Sequence, residues 1–509
     1  MFRWKKAAAV VVAASLAVGL TSCTAGGGDG SGGESGGTLT LGAIQTLTTF
    51  AAADSYWANE SPYMQAVYDT VLRAEPDGTI TEGLATAWAY NEDNTVLTLT
   101  IRDGVAFSDG TPVDAAAVAQ NLIRFRDGNS PDITKMADLQ DAVATDASTV
   151  TVTLTQPNPT FLFYLTQNAG LVESPAAFAS ADIQTVPVGS GPYELDAAKT
   201  VVGTSYVFTA NADYWDPASV HYDNLVINVY SDPTALVNAL KGGQVNASTL
   251  ALNKNVAELE SSGFTANAAE LSWMGLLLLD RQGTRVPALA DVRVRQAINY
   301  AFDKEAMLKS IGQDYGTVTG QIFPPSSVGF DESLDDRYDY DPEKARELLA
   351  EAGYADGFTL QMPTASAVDA STFTLIQQQL SDIGIDVVYT DAGNNFIADV
   401  LAPKYPATWL ILQQDPDLAL INFHLSKDAI FNPFKSEDPE LTALIEKVRT
   451  TEGSEYEATV KAINKFTVEQ AWFAPWYRPE QTFVTDAATQ AEVQQGNSYP
   501  YLWNIRPKS

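Results

Sequence analysis

Cysteine, histidine and long apolar segments are scarce in this chain of 509 residues. The one cysteine, Cys23, excludes an intrachain disulfide and a thiolate metal cluster. The two histidines, His221 and His424, lie in no ligand-spaced pattern, so the sequence predicts no metal centre and no cofactor. After residue 20, no apolar segment reaches the roughly 18 residues that a membrane-spanning helix needs.

Basic residues are also few. The chain has 30 lysines and arginines and 63 aspartates and glutamates, so its formal net charge is −33. Such a surface repels nucleic acid and anionic lipid head groups, so we expect no nucleic-acid partner. The acidic residues are dispersed along the chain, and we attribute them to solubility rather than to ligand choice. The length is sufficient for two or three domains with substantial cores.

The N-terminal segment has the pattern of an export signal followed by a tether. Basic residues precede an apolar stretch over residues 7–20 that is too short to cross a bilayer. The sequence Leu20-Thr21-Ser22-Cys23 resembles a bacterial lipobox, in which the cysteine is lipidated after cleavage. We therefore predict a lipoprotein signal peptide over residues 1–22, and a lipidated Cys23 with a flexible Gly/Ser tether over residues 23–37.

The rest of the chain alternates short strands with capped helices, which is typical of a mixed α/β protein. Apolar residues alternate with threonines from Leu97 to Ile101, the pattern of a half-buried strand. Asp114, Asp232-Pro233 and Asp341-Pro342 stand where helices should begin. The continuous apolar run Met274–Leu279 predicts a strand that is buried on both faces.

Turn dipeptides divide the segment that follows the first of these strands. Asp103-Gly104 and Asp109-Gly110 predict two turns, because glycine accepts a positive φ without steric cost. Between them, Val105 and Phe107 predict a second, short strand.

Five segments, in order along the chain, resemble blocks of one protein family. They are residues 101–121 (IRDGVAFSDGTPVDAAAVAQN), Pro187–Tyr193 (PVGSGPY), Asn211–Trp215 (NADYW), Asp291–Phe302 (DVRVRQAINYAF) and Tyr340–Gly353 (YDPEKARELLAEAG). The family is that of the family 5 extracellular solute-binding proteins of ABC importers, which includes oligopeptide, dipeptide and nickel binders. The resemblance covers most of the chain after residue 38.

The resemblance implies a two-lobed, periplasmic-binding-protein-like α/β fold with hinge crossover strands and an extra subdomain in the first lobe. Two lobes of this kind close on a trapped ligand. The first crossover lies near Met274–Leu279, and the chain crosses back near residue 480. We expect lobe I to comprise residues 38–66, 187–270 and 481–509, the extra subdomain residues 67–186, and lobe II residues 271–480.

The resemblance also indicates where the ligand binds. In peptide-binding members a tryptophan on a strand flanks the ligand, and the neighbouring backbone pairs with the peptide as an added strand. Trp409 matches that tryptophan, and aromatic or amide side chains nearby supply stacking faces and hydrogen bonds. The predicted ligand-binding residues are Tyr56, Trp57, Trp273, Met274, Thr408, Trp409, Leu410, Leu412, Gln413, Gln414 and Tyr477, and Trp476 is a further aromatic near the cleft. The alternative is that about half of these aromatic residues pack in the core and do not contact the ligand.

Two features differ from the dipeptide binders of the family. The aspartate that pairs with a ligand ammonium lies three residues after the tryptophan, and here that residue is Leu412. The region that supplies a carboxylate-binding arginine contains no Arg or Lys between Tyr354 and Pro403. An unpaired charge in a closed cleft costs several kcal/mol. We therefore expect a peptide-like solute, an oligopeptide held by its backbone rather than a free dipeptide.

Together these features predict a substrate-binding lipoprotein of an ABC importer that captures a solute and performs no catalysis. Its partners would be the solute, the transmembrane subunits of the permease with their ATPase, and the membrane through the lipid on Cys23. We expect a monomer on the outer face of the cell membrane, on the extracellular or periplasmic side. Alternatives are an oligosaccharide or glycoside receptor on the same fold, a surface adhesin, and an exported hydrolase with paired carboxylates.

Overall fold

The computed structural model describes residues 36–251, 253–364, 370–494 and 496–508. The predicted signal peptide, Cys23 and most of the tether lie outside these residues. Strands and helices alternate through the described part of the chain, as the sequence predicts. The strands are β1 (Thr38–Ala43), β2 (Leu72–Ala74), β3 (Ile80–Glu82), β4 (Ala85–Tyr90), β5 (Val96–Ile101), β6 (Leu139–Ala144), β7 (Thr149–Leu154), β8 (Tyr193–Leu195), β9 (Ser205–Ala210), β10 (Asn224–Val229), β11 (Ala247–Thr249), β12 (Thr265–Glu270), β13 (Ser272–Leu278), β14 (Gly316–Val318), β15 (Phe358–Thr364), β16 (Ile385–Asp391), β17 (Ala407–Gln413), β18 (Phe473–Thr485), β19 (Thr489–Ala491) and β20 (Ile505–Pro507).

The helices begin and end close to their sequence signals. They are α1 (Ser61–Val67), α2 (Ala115–Arg126), α3 (Phe161–Tyr164), α4 (Pro233–Lys241), α5 (Val256–Ser261), α6 (Val292–Tyr300), α7 (Lys304–Met307), α8 (Pro342–Glu351), α9 (Ala370–Ser381), α10 (Phe396–Val400), α11 (Asp417–His424), α12 (Pro439–Val448) and α13 (Gly453–Glu469). The side chains of Asp114, Asp232 and Asp341 accept hydrogen bonds from the backbone of the first turn of α2, α4 and α8. These three predicted caps are confirmed. No helix in the described ranges is long and apolar enough to span a membrane.

A sheet of ten strands forms the frame of the molecule. Its main path runs β17-β13-β18-β11-β1-β10-β9-β8, and β12 and β14 also pair with β18. The long strand β18 pairs with β13 in its first half and with β11 and β12 in its second half. We call the side that holds β1–β12, β19 and β20 the first lobe, and the side that holds β13–β17 the second lobe. The strand β18 therefore contributes to both lobes.

Residues 101–121, the first of the five family-like segments, contribute to a separate core in the first lobe. The strands β4, β5, β7 and β6 make a four-stranded sheet in that order, and α2 packs against it. Gly104 and Gly110 have φ values of 77° and 81°, so both predicted turns are confirmed. The predicted strand at Val105 and Phe107 is wrong, because only an isolated bridge between Ala106 and Pro112 forms there. Their apolar alternation comes from burial in this core.

The two large cores of the second lobe lie on opposite faces of β13. Met274, Leu276 and Leu278 pack with α6, α8 and α9, and we call this cluster the α9 core. Trp273 and Leu277 face the opposite way and pack with α11, α12 and α13, which we call the α13 core. The prediction of a strand buried on both faces at Met274–Leu279 is thus confirmed.

The two chain crossings between the lobes are tied to each other by one side chain. Arg478, in the middle of β18, has a side chain that is only 4% exposed. Its Nε donates a 2.7 Å hydrogen bond to Oε2 of Glu270, the last residue of β12. Its Nη1 lies 3.8 Å from Oδ2 of Asp335 in the second lobe. The arginine therefore pairs with a carboxylate on each side of the crossing.

Candidate functional site

The strand β17 is the outermost strand at one end of the large sheet. It pairs with β13 along its whole length, from Ala407 opposite Leu278 to Gln413 opposite Ser272. No strand of the described residues pairs with its other edge. Such an edge offers backbone N–H and C=O groups to an added strand. Ile411 on this strand is 46% exposed.

Gln413, at the end of β17, joins the two lobes. Its Nε2 donates to the backbone oxygen of Gly496 in the first lobe, at 3.0 Å, and to Oδ1 of Asp415, also at 3.0 Å. Gly496 has a φ of +74°, which disfavours a residue with a side chain. A Cβ at that position would lie 3.3 Å from Cζ of Phe163, so the approach of the two segments is close.

A fixed ammonium group belongs to the first-lobe wall opposite β17. Nζ of Lys135 donates to Oδ2 of Asp132 at 3.1 Å and to Oδ1 of Asn168 at 3.0 Å. Asn168 is buried, and its Nδ2 donates to the same Asp132 oxygen at 2.9 Å. The backbone N–H of Trp57 also donates to that oxygen, at 3.3 Å. These bonds hold Lys135 in one position.

Charged and phenolic groups of the two lobes act on one another's pKa values, which shows that they lie near one another. Burial raises the pKa of Asp415 to about 6, with Lys135 opposing the rise and Asp132 adding to it. Burial also raises the pKa of Tyr56, and Asp132, Glu60 and Asp415 raise it further. The pKa of Tyr164 is raised by burial and then by Asp415.

We call the space bounded by these groups the interlobe cleft. Its first-lobe side carries Tyr56, Asp132, Lys135 and Tyr164, and its second-lobe side carries Gln413 and Asp415. These side chains comprise two carboxylates, one ammonium, two phenols and one amide. Such a set can hydrogen-bond a polar solute and bind a charged group on it.

The predicted site residues fall into two groups by position. Tyr56 and Gln413 border the interlobe cleft, each partly buried. The others are buried, at 9% exposure or less: Trp57, Trp273, Met274, Thr408, Trp409, Leu410, Leu412, Gln414, Trp476 and Tyr477. The structure does not bring this second group to the cleft surface, and their contact with a ligand stays a prediction.

Ring contacts explain the burial of three of the tryptophans. Trp273 meets Phe473 edge to face with 5.3 Å between centroids, in the α13 core. Trp409 meets Phe373 of α9 at 6.1 Å, in the α9 core. Trp476 contacts Phe302 at 5.0 Å. The buried indole N–H of Trp409 has no hydrogen-bond partner among the described residues.

Leu412 and Gln414 also turn away from the cleft. Leu412 lies in the α13 core and is 7% exposed. Gln414 donates from Nε2 to the backbone oxygen of Ile322 at 2.8 Å. Both side chains are therefore engaged within the second lobe.

Sequence reasoning missed Lys135, Tyr164 and Asp415. Asp415-Pro416 indicated only the end of a strand, although a carboxylate two residues beyond a free edge strand is well placed to meet a ligand. Lys135 and Tyr164 lie in none of the family blocks, and only the three-dimensional fold brings them near β17.

The histidines form no metal site with other residues of the described chain. His424 is fully buried, and its Nδ1 lies 3.0 Å from the backbone oxygen of Leu420. Burial lowers its pKa to about 4. Among the described residues, no group of three or more potential metal ligands occurs.

Residues 79–434, more than half of the chain, match the family model of the bacterial extracellular solute-binding proteins, family 5, middle region. The chain belongs to family 5 of the bacterial extracellular solute-binding proteins. Glutathione-binding protein GsiB of Escherichia coli K12 is 30% identical over 368 residues, which cover 68% of this chain and 69% of that protein. Members of family 5 bind small peptides or other solutes and work with ABC permeases.

Solved structures of family 5 share the two-lobed fold. The substrate-binding protein CtaP of Listeria monocytogenes superposes with a TM-score of 0.79 and 22% identity, over 94% of this chain and all (100%) of that chain. The periplasmic binding protein DppA of Helicobacter pylori, in complex with the peptide STSA, gives 0.77 and 21%, over 93% of this chain and 98% of that chain. The family 5 relatives are solute-binding proteins and not enzymes, which agrees with the predicted lack of catalysis and removes the support for a hydrolase.

Proposed function

We propose that this substrate-binding protein of an ABC importer captures a peptide-like solute, an oligopeptide held by its backbone, and delivers it to a membrane permease. The observation that carries the proposal is the free edge of β17 beside the interlobe cleft. A peptide in extended conformation satisfies such an edge with main-chain hydrogen bonds, whereas a sugar offers no matching row of donors and acceptors. Recognition through the backbone tolerates different side chains.

The charge of the cleft supports an oligopeptide over a free dipeptide. A dipeptide brings a carboxylate into the same small space as its ammonium. The cation of the cleft, Lys135, is already paired with Asp132. The segment between Tyr354 and Pro403 contains no Arg or Lys. A longer peptide can place its carboxylate outside the cleft, where water solvates it.

Among the predicted residues, we propose Tyr56 and Gln413 as direct contacts of the solute. Each borders the cleft and carries a polar group. The buried members of the predicted set would support the walls behind them, as the Trp409 side chain does by packing against Phe373 of α9. Closure of the lobes would then be driven by the difference in affinity of the solute for the closed and the open states.

Thermal stability in the presence of candidate solutes tests the substrate class. The protein lacking residues 1–37 is unfolded, washed free of any retained molecule and refolded, and its Tm is measured with oligopeptide and oligosaccharide panels at equal concentration. A true ligand stabilises by RT ln(1 + [L]/Kd), about 2.7 kcal/mol at a hundredfold excess over Kd. We expect oligopeptides of three or more residues to raise Tm. A rise with oligosaccharides alone would overturn the peptide assignment.

We further propose that Cys23 is lipidated and holds the protein on the outer face of the cell membrane, on the extracellular or periplasmic side. The support is the lipobox-like sequence Leu20–Cys23 at the end of a short apolar segment. In cells, Cys23→Ser should move the protein from the membrane fraction to the soluble fraction. Thr24→Ala should leave it at the membrane. Equal distribution of the two variants would refute the anchor.

The separate cores support the domain limits that the sequence indicates. We propose lobe I over residues 38–66, 187–270 and 481–509, the extra subdomain over residues 67–186, and lobe II over residues 271–480. The buried residues of the core around the four-stranded sheet lie between 71 and 172, within the proposed subdomain, and Val188 and Trp215 pack against it from outside. We also propose that the protein is a monomer, and light scattering during gel filtration measures its mass directly.

A further inference from the structure

Arg281 is a buried cation in the second lobe. It follows the last residue of β13 by three positions, and it is only 6% exposed. Its guanidinium lies over the ring of Trp472, with 4.1 Å from Cζ to the ring centroid, and its Cζ is 5.2 Å from the ring centroid of Phe473. Both rings belong to the α13 core. The positive charge is therefore held in aromatic surroundings with little access to water.

No carboxylate of the described residues forms an ion pair with Arg281. Its sequence neighbour Asp280 is fully buried, but the oxygens of Asp280 accept hydrogen bonds from the backbone N–H groups of residues 284–286 and from the hydroxyl of Thr284. Burial lowers the pKa of Arg281 to about 9, and another cation, Arg295, lowers it further. Aromatic rings attract a cation less strongly than burial disfavours it. This environment therefore favours a bound anion.

Donor atoms without a partner lie together beside this charge. Nη1 of Arg281 donates to Oδ1 of Asn432 at 3.2 Å, whereas its Nε and Nη2 have no hydrogen-bond partner among the described residues. The same oxygen of Asn432 accepts the backbone N–H of Ser436 at 3.0 Å, so Ser436 lies next to the guanidinium. The buried hydroxyl of Ser436 likewise has no partner in the described ranges. Asn432 thus holds two nitrogens and one hydroxyl with hydrogens to donate near one another.

We propose that this part of the α13 core binds one small monovalent anion, chloride or another halide, and we call it the Arg281 site. The unpaired nitrogens of Arg281 and the hydroxyl of Ser436 donate to the anion. One positive charge balances one negative charge, so a phosphate or sulfate dianion fits less well. A water molecule accepts the same hydrogens but leaves the charge of Arg281 uncompensated.

The anion joins two parts of the second lobe that are far apart in sequence. Arg281 comes shortly after β13, whereas Asn432 and Ser436 belong to the segment between α11 and α12. Asn432 also fixes that segment internally, because its Nδ2 donates to the backbone oxygens of Ser426 at 3.1 Å and Ser436 at 2.8 Å. None of these residues borders the interlobe cleft as defined above. Binding of the anion should therefore stabilise the folded protein without any solute.

Unfolding in different sodium salts tests the proposal. The protein without residues 1–37 is dialysed into sodium gluconate, and its Tm is measured as chloride or bromide replaces gluconate at constant ionic strength. The proteins are the unaltered chain, Arg281→Met and the control Arg285→Met. Arg285 is an exposed arginine four positions away, and its Nε donates to the backbone oxygen of Pro403 at 3.1 Å.

We expect chloride and bromide to raise the Tm of the unaltered protein and of Arg285→Met along a saturating curve. The ratio of folded to unfolded molecules rises by the factor 1 + [Cl⁻]/Kd, about a hundredfold at a hundred times Kd. Arg281→Met removes a buried unpaired charge, so it should fold, and its Tm should not respond to halide. The site is overturned if the unaltered protein shows no halide response, or if Arg281→Met shows the same response.

Crystallography with bromide locates the anion independently of the variants. Crystals of the unaltered protein grown with sodium bromide should give an anomalous peak at the bromine edge, within hydrogen-bonding distance of Nε or Nη2 of Arg281 and of the hydroxyl of Ser436. If Arg281→Met does not fold, this peak together with the halide response of the unaltered protein decides for the site. A peak without any halide response would be an adventitious ion only, and it would overturn the proposal. The absence of a peak at Arg281 would also overturn it.

Discussion

The guanidinium of Arg449 in the second lobe lies beside the carboxylate of Asp138 in the first lobe, with 3.7 Å between Nη1 and Oδ2. Both side chains are mostly buried, at 15% and 13% exposure. Arg449 also donates from Nη2 to Oδ1 of Asn422 at 2.6 Å, which fixes its orientation. Close by in sequence, Glu452 accepts a 3.3 Å hydrogen bond from Nδ2 of Asn94. These contacts join the lobes at a point distinct from Gln413.

Removal of the arginine should therefore shift the equilibrium between closed and open lobes. We expect Arg449→Met to disfavour the closed state by about 1 kcal/mol, or about fivefold in the ratio of the two states. Small-angle scattering of the solute-free protein should show a larger radius of gyration for the variant. Lys435→Met removes a pair with Asp428 that lies within one lobe, and it should scatter like the unaltered protein. If the scattering curve of Arg449→Met also matched that of the unaltered protein, Arg449 would have no role in holding the lobes together.

Substitution of Leu412 tests which side of β17 faces the solute. Leu412→Asp would bury a carboxylate in the α13 core, so we expect a loss of roughly 3 kcal/mol or more in the free energy of unfolding. Ile411→Asp, on the neighbouring and exposed position, should cost less than about 1 kcal/mol. Urea denaturation measures both. A stable Leu412→Asp variant that gains affinity for free amino termini would place Leu412 in the cleft instead.

Local signals account for the parts of the fold that the sequence predicts well. A capping aspartate before a helix and a turn glycine with positive φ act over a few residues, so Asp114 and Gly104 could be interpreted without the rest of the chain. The run Met274–Leu279 was interpretable because burial on both faces leaves no polar alternation. The strand predicted at Val105 and Phe107 is wrong because these two side chains alternate for another reason, namely that both are buried in the core around the four-stranded sheet.

The candidate site could be predicted only in part, because its members come from distant points of the chain. Asp415 and Lys135 are 280 positions apart, and no local pattern links them. The resemblance to the family indicated the strand that carries Trp409 and Gln413. It could not indicate which side chains of that strand turn inward, since β17 is covered on both faces over most of its length.

The buried histidine should make the protein sensitive to acid. His424 has a pKa of about 4 in the folded protein, against an ordinary value of 6.5, and Arg281 adds to the effect of burial. Between these pH values the unfolded state binds more protons, so the free energy of unfolding falls as the pH falls from 6.5 to 4. The fall from this residue should be up to about 3 kcal/mol.

Two variants isolate that contribution in urea titrations at several pH values. His424→Phe keeps an aromatic ring in the α13 core and should flatten the acid dependence between pH 6.5 and 4. His221→Gln, at a partly exposed position, should leave the dependence unchanged. If His424→Phe follows the same curve as the unaltered protein, the acid sensitivity arises elsewhere.

Two substitutions at Trp409 separate packing from binding. Trp409→Ala should lower the free energy of unfolding by about 3–5 kcal/mol, because the indole is packed against Phe373 in the α9 core. Trp409→Phe keeps most of that packing and removes the indole N–H, which has no partner among the described residues. Because the indole lies in the core and not on the cleft surface, we expect Trp409→Phe to bind peptides as the unaltered protein does, at nearly unchanged Tm. A several-fold weaker affinity would place the indole N–H in contact with the solute.

The strand β18 has a consequence for how the molecule comes apart on heating. Its first half completes the sheet of the second lobe, and its second half completes the sheet of the first lobe. If either lobe unfolds, β18 loses hydrogen bonds and the sheet of the other lobe is weakened. Differential scanning calorimetry should accordingly record one endotherm, with equal calorimetric and van't Hoff enthalpies, in place of the staggered transitions that independently melting modules give.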